Sequence, residues 1–242
     1  MEKNTQNSKN NICLLPSSIL YEDNHLIAIN KAPGQIVQGD KTGDIPLSEL
    51  LKDYIKQRDN KPGKVFLGVP HRLDRPVSGV VLFAKTGKAL GRVNELIRDR
   101  AFDKTYWAIV RQAPPLKEDH LKHWLRRNES QNKSYVCTEN HIGALCAELS
   151  YKLLAKSDRY YLLEIKLYTG RHHQIRAQLA SIGSPVKGDL KYGDTRSNPD
   201  GGICLHSKSL GLVHPIKKTL LHIEAPLPKD SLWQYFENLS LK

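Results

Sequence analysis

The chain predicts an α+β fold, a largely antiparallel mixed central sheet flanked by helices, and three observations carry that prediction. Strand-length apolar runs and helical patterns intermix without a strict strand–helix–strand rhythm, which disfavours a doubly wound parallel sheet. At 242 residues the chain suffices for one sizeable core, and no internal repeat or linker divides it. A hydrophobic content of 39% with 26% charged residues is that of a globular domain.

The elements follow in order. The polar start MEKNTQNSKNN lacks the apolar stretch of a secretory signal and predicts a disordered tail over 1–15, leaving one domain over 16–242. A strand is expected over 26–30 and is stopped by the turn NKAPG, which ends at Gly34. Leu47, Leu50, Leu51, Tyr54 and Ile55 recur at helical spacing and predict a helix over 46–57. The polar RDNKPGK is a loop, and HRLDRPVSG (71–79) is a second loop that feeds the apolar strand 80–84. Leu90, Val93, Leu96 and Ile97 place a helix over 88–98. A strand over 105–110 is broken by Ala113, Pro114 and Pro115. Strands over 147–154 and 160–168 flank a turn at Asp158 and Arg159, and the second alternates Tyr161, Leu163, Ile165 and Leu167 with polar or outward neighbours. A helix over 172–181 ends before Gly183, a strand follows over 219–224, and Asp230 caps a last helix carrying Trp233, Phe236 and Leu239.

Lys and Arg exceed Asp and Glu to give a net charge of +12, an excess that favours a polyanion, nucleic acid foremost. Binding of that kind releases condensed counterions and weakens steeply with salt. Within the polar segment 116–140, Lys122, Arg126, Arg127 and Lys133 stand beside Trp124 and Tyr135, and the segment is expected to be an insertion that contacts RNA, with a solvated charged excursion as the rival reading. Cys13, Cys137, Cys146 and Cys204 form no CxxC pair and fit no zinc spacing, so reduced thiols in a cytoplasmic protein are expected. His172 and His173 lack a partner at metal-ligand spacing, and no metal is expected. No apolar run is long enough to span a membrane. The phosphate-binding loop is missing, because Leu82 stands where its first glycine would be, and so is the dinucleotide fingerprint.

The segment HRLDRPVSG is the most informative in the chain. It sets Asp74 two residues after Arg72 in a short loop ahead of a buried strand, a position where the strand fixes the backbone and the loop offers the side chain to a ligand. The same residues would also suit a plain solvated turn. HRLDRPVSGVVLFAKT resembles the active-site stretch of the RluA-type RNA pseudouridine synthases. Val77 departs from that pattern, standing where a Thr is usual, and leaves Arg72 and Asp74 in place. Four further segments resemble the family in order: ILYEDNHLIAINKAPG its opening strand and turn, FDKTYWAIV its Lys-x-Tyr strand, GRHHQIRAQLASIGSPVKGDLKYG its Gly-Arg-x-His-Gln-Ile-Arg helix with the Gly-Asp-x-x-Tyr-Gly that follows, and LHSKSLGLVHP with EAPLP its closing segment. Many members carry an S4 RNA-binding domain ahead of the opening strand; only 18 residues precede Ile19, so substrate selection is expected from the catalytic domain itself.

The resemblance implies the pseudouridine synthase fold and an isomerase acting on specific uridines of structured rRNA or tRNA, without redox cofactor, nucleotide or metal. It assigns Asp74 as the nucleophile on the target nucleotide, whether by attack at C1′, by assistance through a glycal or by addition to the base. A carboxylate suits the positive charge that glycosidic cleavage develops on a sugar. Arg176 resembles the family's basic partner, and a cation beside a carboxylate favours its charged form. Tyr106 is expected to stack on the target base and to accept the C5 proton. Trp107, on the opposite face of that strand, is expected in the core. Leu73 and Ile175 would wall the pocket, and Lys104 and His71 would contact substrate. Arg72 would fill the space that an extruded uridine leaves, or bind a phosphate. The alternatives are an RNA-binding or RNA-folding module with dispensable catalysis, and a metal-free hydrolase built on His71 and Asp74. A cytoplasmic monomer is expected.

Overall fold

Strands β2 (Leu26–Lys31) and β3 (Ser78–Ala84) pair antiparallel and are buried on both faces, which is why each reads as a nearly unbroken apolar run. Ile27, Ile29, Val81 and Phe83 face one core together with Leu47, Leu51 and Ile55 of α1 (Leu47–Arg58). Leu26, Ala28, Val80 and Leu82 face a second with Ala89 and Val93 of α2 (Gly87–Arg98). Thr86 Oγ1 accepts the Ala89 N–H at 3.2 Å and starts α2. The computed structural model describes residues 16–240, so the expected tail over 1–15 lies outside the described residues.

The other strands are β1 (Ile19–Glu22), β4 (Phe102–Val110), β5 (Glu118–Asn128), β6 (Lys133–Cys137), β7 (Leu145–Lys156), β8 (Tyr161–Leu167), β9 (Leu205–Val213) and β10 (Leu220–Glu224). All ten join one sheet in the order β1-β2-β3-β9-β4-β8-β7-β5-β6, with β10 also on β9. Every pairing is antiparallel except β3 with β9, a parallel contact of two residue pairs, Ser78 with His206 and Gly79 with Ser207. That short seam joins the two halves of the sheet. Gly79 is required there: its φ is +111°, and a Cβ would lie 2.2 Å from the Ser207 carbonyl oxygen. The loop 71–77 therefore enters the sheet at the seam.

Two expectations change. Residues 116–140 are not an excursion: β5 and β6 form a regular hairpin, and β5 pairs with β7 from Glu118–Lys152 to Leu125–Leu145. Only Leu121 and Leu125 of β5 are buried, too few to mark a half-buried strand in a charged sequence. The expected helix over 172–181 is α3 (Gln174–Ser181), because His173 occupies its N-cap in the left-handed region at φ 53°. Trp107 lies on the opposite face from Tyr106 and packs against the core as expected but only half-buried, with the Lys208 ammonium 5.3 Å from its ring centroid. β9, the strand at the seam, carries Ser, Lys and His and gives no periodic signal. The last helix, α4 (Ser231–Ser240), begins as expected, with Asp230 Oδ1 accepting the Leu232 N–H at 2.9 Å.

Residues Gln174 to Leu179 of α3 are all buried, polar ones included. Burial is possible because the side chains replace water: Gln174 Oε1 accepts from Thr169 Oγ1 at 2.7 Å and Arg171 N at 3.0 Å, and Gln178 Nε2 donates to the Leu121 and Ala147 carbonyls. The helix thus carries its one cation, Arg176, against the sheet rather than into solvent.

Candidate active site

The loop that carries Asp74 is held by its own backbone. Asp74 O accepts from Val77 N at 3.1 Å, Arg75 O from Gly34 N at 2.9 Å, and Pro76 O from Ile203 N at 3.0 Å. Beneath it lies Lys31, 1% exposed, whose ammonium donates to the carbonyls of Ala32 and Arg75 at 3.0 Å and of Val77 at 2.6 Å. Every carbonyl from Asp74 to Val77 is bonded, so the carboxylate rests on a fixed base.

Arg176 reaches the same loop from α3. Its Nε and Nη2 grip Asp189 Oδ2 and Oδ1 at 2.6 and 2.9 Å, and its Nη1 donates to Asp74 Oδ2 at 3.0 Å. The chain of charges runs outward: the Asp189 side chain is 1% exposed, that of Arg176 5%, and that of Asp74 29%. Burial works against the Arg176 charge, but its bonds to Asp189 and the pull of Asp189 and Asp74 outweigh that and raise its pKa. Asp189 orients the guanidinium, and Asp74 is the open tip where a ligand can meet it.

His173 also touches Asp74, with Nε2 3.5 Å from Oδ2. Burial lowers its pKa to about 3 against the pull of Asp74, so the ring is neutral at neutral pH and the contact is not an ion pair. Its Nδ1 lies 3.0 Å from the Tyr192 hydroxyl, which in turn accepts the Ser134 N–H of β6 at 2.8 Å. The β5–β6 hairpin is thereby tied to the ring beside Asp74.

The loop runs along β4 past Phe102, Lys104 and Tyr106, which alternate onto one strand face: the His71 ring packs on Phe102 and feels the Lys104 charge, and the Asp74 charge reaches Tyr106. Leu73, Ile175 and Tyr106, the expected pocket walls, are all buried within the larger apolar core. Burial pushes the Tyr106 phenol up to about 12; Ser207 opposes that and the Asp74 charge adds to it. Lys104 is half-buried and burial lowers its pKa. His71 lies against β3 rather than toward Asp74: its Nε2 accepts the Leu82 N–H at 3.0 Å and its ring packs on Phe102 at 5.4 Å. Burial depresses its pKa to about 3, which suits a neutral acceptor and removes the basis for an Asp/His hydrolase. Arg72 is exposed and makes no ion pair among the described residues. Its neighbour Arg75 is bound by Asp44 at 2.7 Å, Asp40 at 3.5 Å and Thr42 at 2.7 Å.

Sequence reasoning missed Lys31, His173, Asp189 and Tyr192 as site residues. Asp189 and Tyr192 sat in the quoted Gly-Asp-x-x-Tyr-Gly, which was the available signal; Lys31 was absorbed into the NKAPG turn. Among the described residues no group of three or more His, Cys, Asp or Glu could hold a metal ion, and no helix is long and apolar enough to cross a membrane.

Lys31 yields a pH prediction. Burial lowers its pKa to about 7, against the attraction of Asp74. The unfolded chain, with a lysine near ~10.4, binds more protons than the folded one between these values. Stability from this residue is therefore lowest below about pH 7 and rises toward pH 10. Urea titrations at pH 7 and 10 should show the wild type gaining on a Lys31→Met variant as pH rises. A constant difference would refute the depressed lysine.

Comparison with known proteins matches residues 25–181 to the family described as RNA pseudouridylate synthase. The chain is 33% identical to the uncharacterized RNA pseudouridine synthase YhcT of Bacillus subtilis, over 88% of this chain and 69% of that one. It is 31% identical to tRNA pseudouridine synthase C of Vibrio parahaemolyticus, over 89% and 92% of the two chains. It is 31% identical to ribosomal large subunit pseudouridine synthase C of Buchnera aphidicola subsp. Schizaphis graminum, over 93% and 70%. In fold it is similar to human RNA pseudouridylate synthase domain containing 4, with a TM-score of 0.74, 23% identity and 93% of each chain covered.

Proposed function

The chain belongs to the RNA pseudouridylate synthase family, whose members isomerise uridine in RNA to pseudouridine, and from that premise we propose that Asp74 is the carboxylate that acts on the target nucleotide. The observation that carries the proposal is the outward chain Asp189–Arg176–Asp74, which ends in a part-exposed carboxylate on a fully hydrogen-bonded loop. The reaction breaks C1′–N1 and forms C1′–C5; the C5 proton is released and N1 gains one, so composition is unchanged. An anion at this position stabilises or bonds to the electron-poor sugar carbon. Arg176, held from behind by Asp189, keeps that anion oriented.

Tyr106 lies under the target base and relays the C5 proton, its phenol accepting that proton as it gives up its own toward N1, while Leu73 and Ile175 exclude water and Lys104 contacts substrate. Arg72, exposed and unpaired among the described residues, enters the stack when the uridine leaves it. The substrates are structured rRNA or tRNA, in keeping with relatives named for each. The basic β5–β6 hairpin contacts RNA, and residues 16–242 act as one catalytic domain, monomeric and cytoplasmic.

The test is to incubate the protein with total RNA from cells lacking it and to map new pseudouridines. Conversion of discrete uridines is expected; binding and refolding of RNA without conversion would leave an RNA-folding module instead. Arg72→Ala should lower kcat/KM on a structured stem-loop by roughly tenfold or more, because unstacking costs a few kcal/mol, and lower it less on a short single strand. Equal losses on both substrates would assign Arg72 to a phosphate.

A further inference from the structure

Tyr106 and Ser207 face each other across the β4–β9 ladder, where the register shifts between Thr105 and Tyr106. Their neighbours Trp107 and His206 form the next cross-strand pair and turn to the other face, where Lys208 covers Trp107 and Trp233 packs near His206. Ser207 and Tyr106 therefore share the face along which the Asp74 loop runs. Ser207 is fully buried, and its hydroxyl oxygen has no well-aligned hydrogen-bond partner among the described residues. A buried hydroxyl left in that condition is unfavourable and calls for a role. Its backbone is fixed, because β3 approaches so closely at Gly79 that no Cβ fits between the strands. The seam thus connects the Asp74 loop, Ser207 and Tyr106 in one rigid unit.

We infer that Ser207 is a positioning residue for Tyr106: its hydroxyl donates to the phenol oxygen and holds it toward the reacting nucleotide. The phenol already feels the serine, which opposes the effect of burial. The inference deepens the role proposed for Tyr106 and rests on it.

The experiment uses Ser207→Ala, which removes one oxygen from an apolar setting and should melt within a few degrees of the wild type. With 13C-labelled tyrosine, the Tyr106 Cζ resonance is assigned by its loss in Tyr106→Phe and followed at neutral pH without RNA. It should move in Ser207→Ala. Turnover should fall about tenfold at saturating RNA with KM unchanged, and the same change in a Tyr106→Phe background should have no further effect. An unmoved resonance overturns the contact, and a moved resonance with undiminished turnover overturns its role. If no RNA is converted by the wild type, the functional reading fails, while the resonance still decides whether Ser207 holds the phenol.

Discussion

Replacing Asp74 with Asn should lower turnover by ~10³-fold or more while leaving RNA affinity within about threefold, since the lost group acts in the transition state rather than in binding. Asparagine preserves the side-chain shape and keeps a carbonyl oxygen for Arg176 Nη1, which now donates to Asp74 at 3.0 Å. The loop should not move, because its carbonyls are bonded to Lys31, Gly34, Val77 and Ile203 and none depends on the Asp74 side chain. Release of tritium from RNA carrying C5-labelled uridine measures turnover directly, because C5 must lose its hydrogen when it bonds to C1′. Turnover within tenfold of the wild type would remove Asp74 from the chemistry. A matching loss of affinity would make it a binding residue.

The second large effect is on stability. Arg176→Met should cost ~3–5 kcal/mol, since removing one partner of a buried ion pair leaves the other uncompensated. The stranded partner is Asp189, whose side chain is 1% exposed and meets Arg176 through two bonds. Urea unfolding provides the measurement. Adding Asp189→Leu to Arg176→Met removes the buried charge and should restore much of the stability. Turnover should stay low in that double variant, because Asp74 still lacks its cation. Recovery of turnover with stability would show that Arg176 serves only the fold; an unchanged melting profile in Arg176→Met would show that Asp189 finds water or another donor.

These variants test side chains whose legibility in the sequence differed. Asp74 and Arg176 were named from motifs 102 residues apart, and the contact between them follows the resemblance. The doubly buried β2 and β3, with α1 and α2, were evident from apolar runs and helical spacing, because their faces are buried against only two surfaces. The hairpin of β5 and β6 was missed as sheet because its outward residues are charged and only two of β5 are buried. β9 was missed for the opposite reason: His206 and Ser207 are polar yet buried, so the strand lacks an apolar pattern although it lies at the centre. The start of α3 was placed two residues early, because His173 takes a left-handed N-cap conformation beside Tyr192, which helical spacing does not record.

Taken alone, the sequence determined the α+β class and most helices through local periodicity, while its short motifs carried the family resemblance and, with it, the candidates Asp74 and Arg176. The tertiary structure decided which groups surround that pair. Lys31, Asp189, His173 and Ser207 come from four separate segments, and each is buried by packing that only the folded chain supplies. Burial is the physical reason: once desolvated, a polar group needs a partner, and which partner it finds depends on long-range packing that no local pattern records.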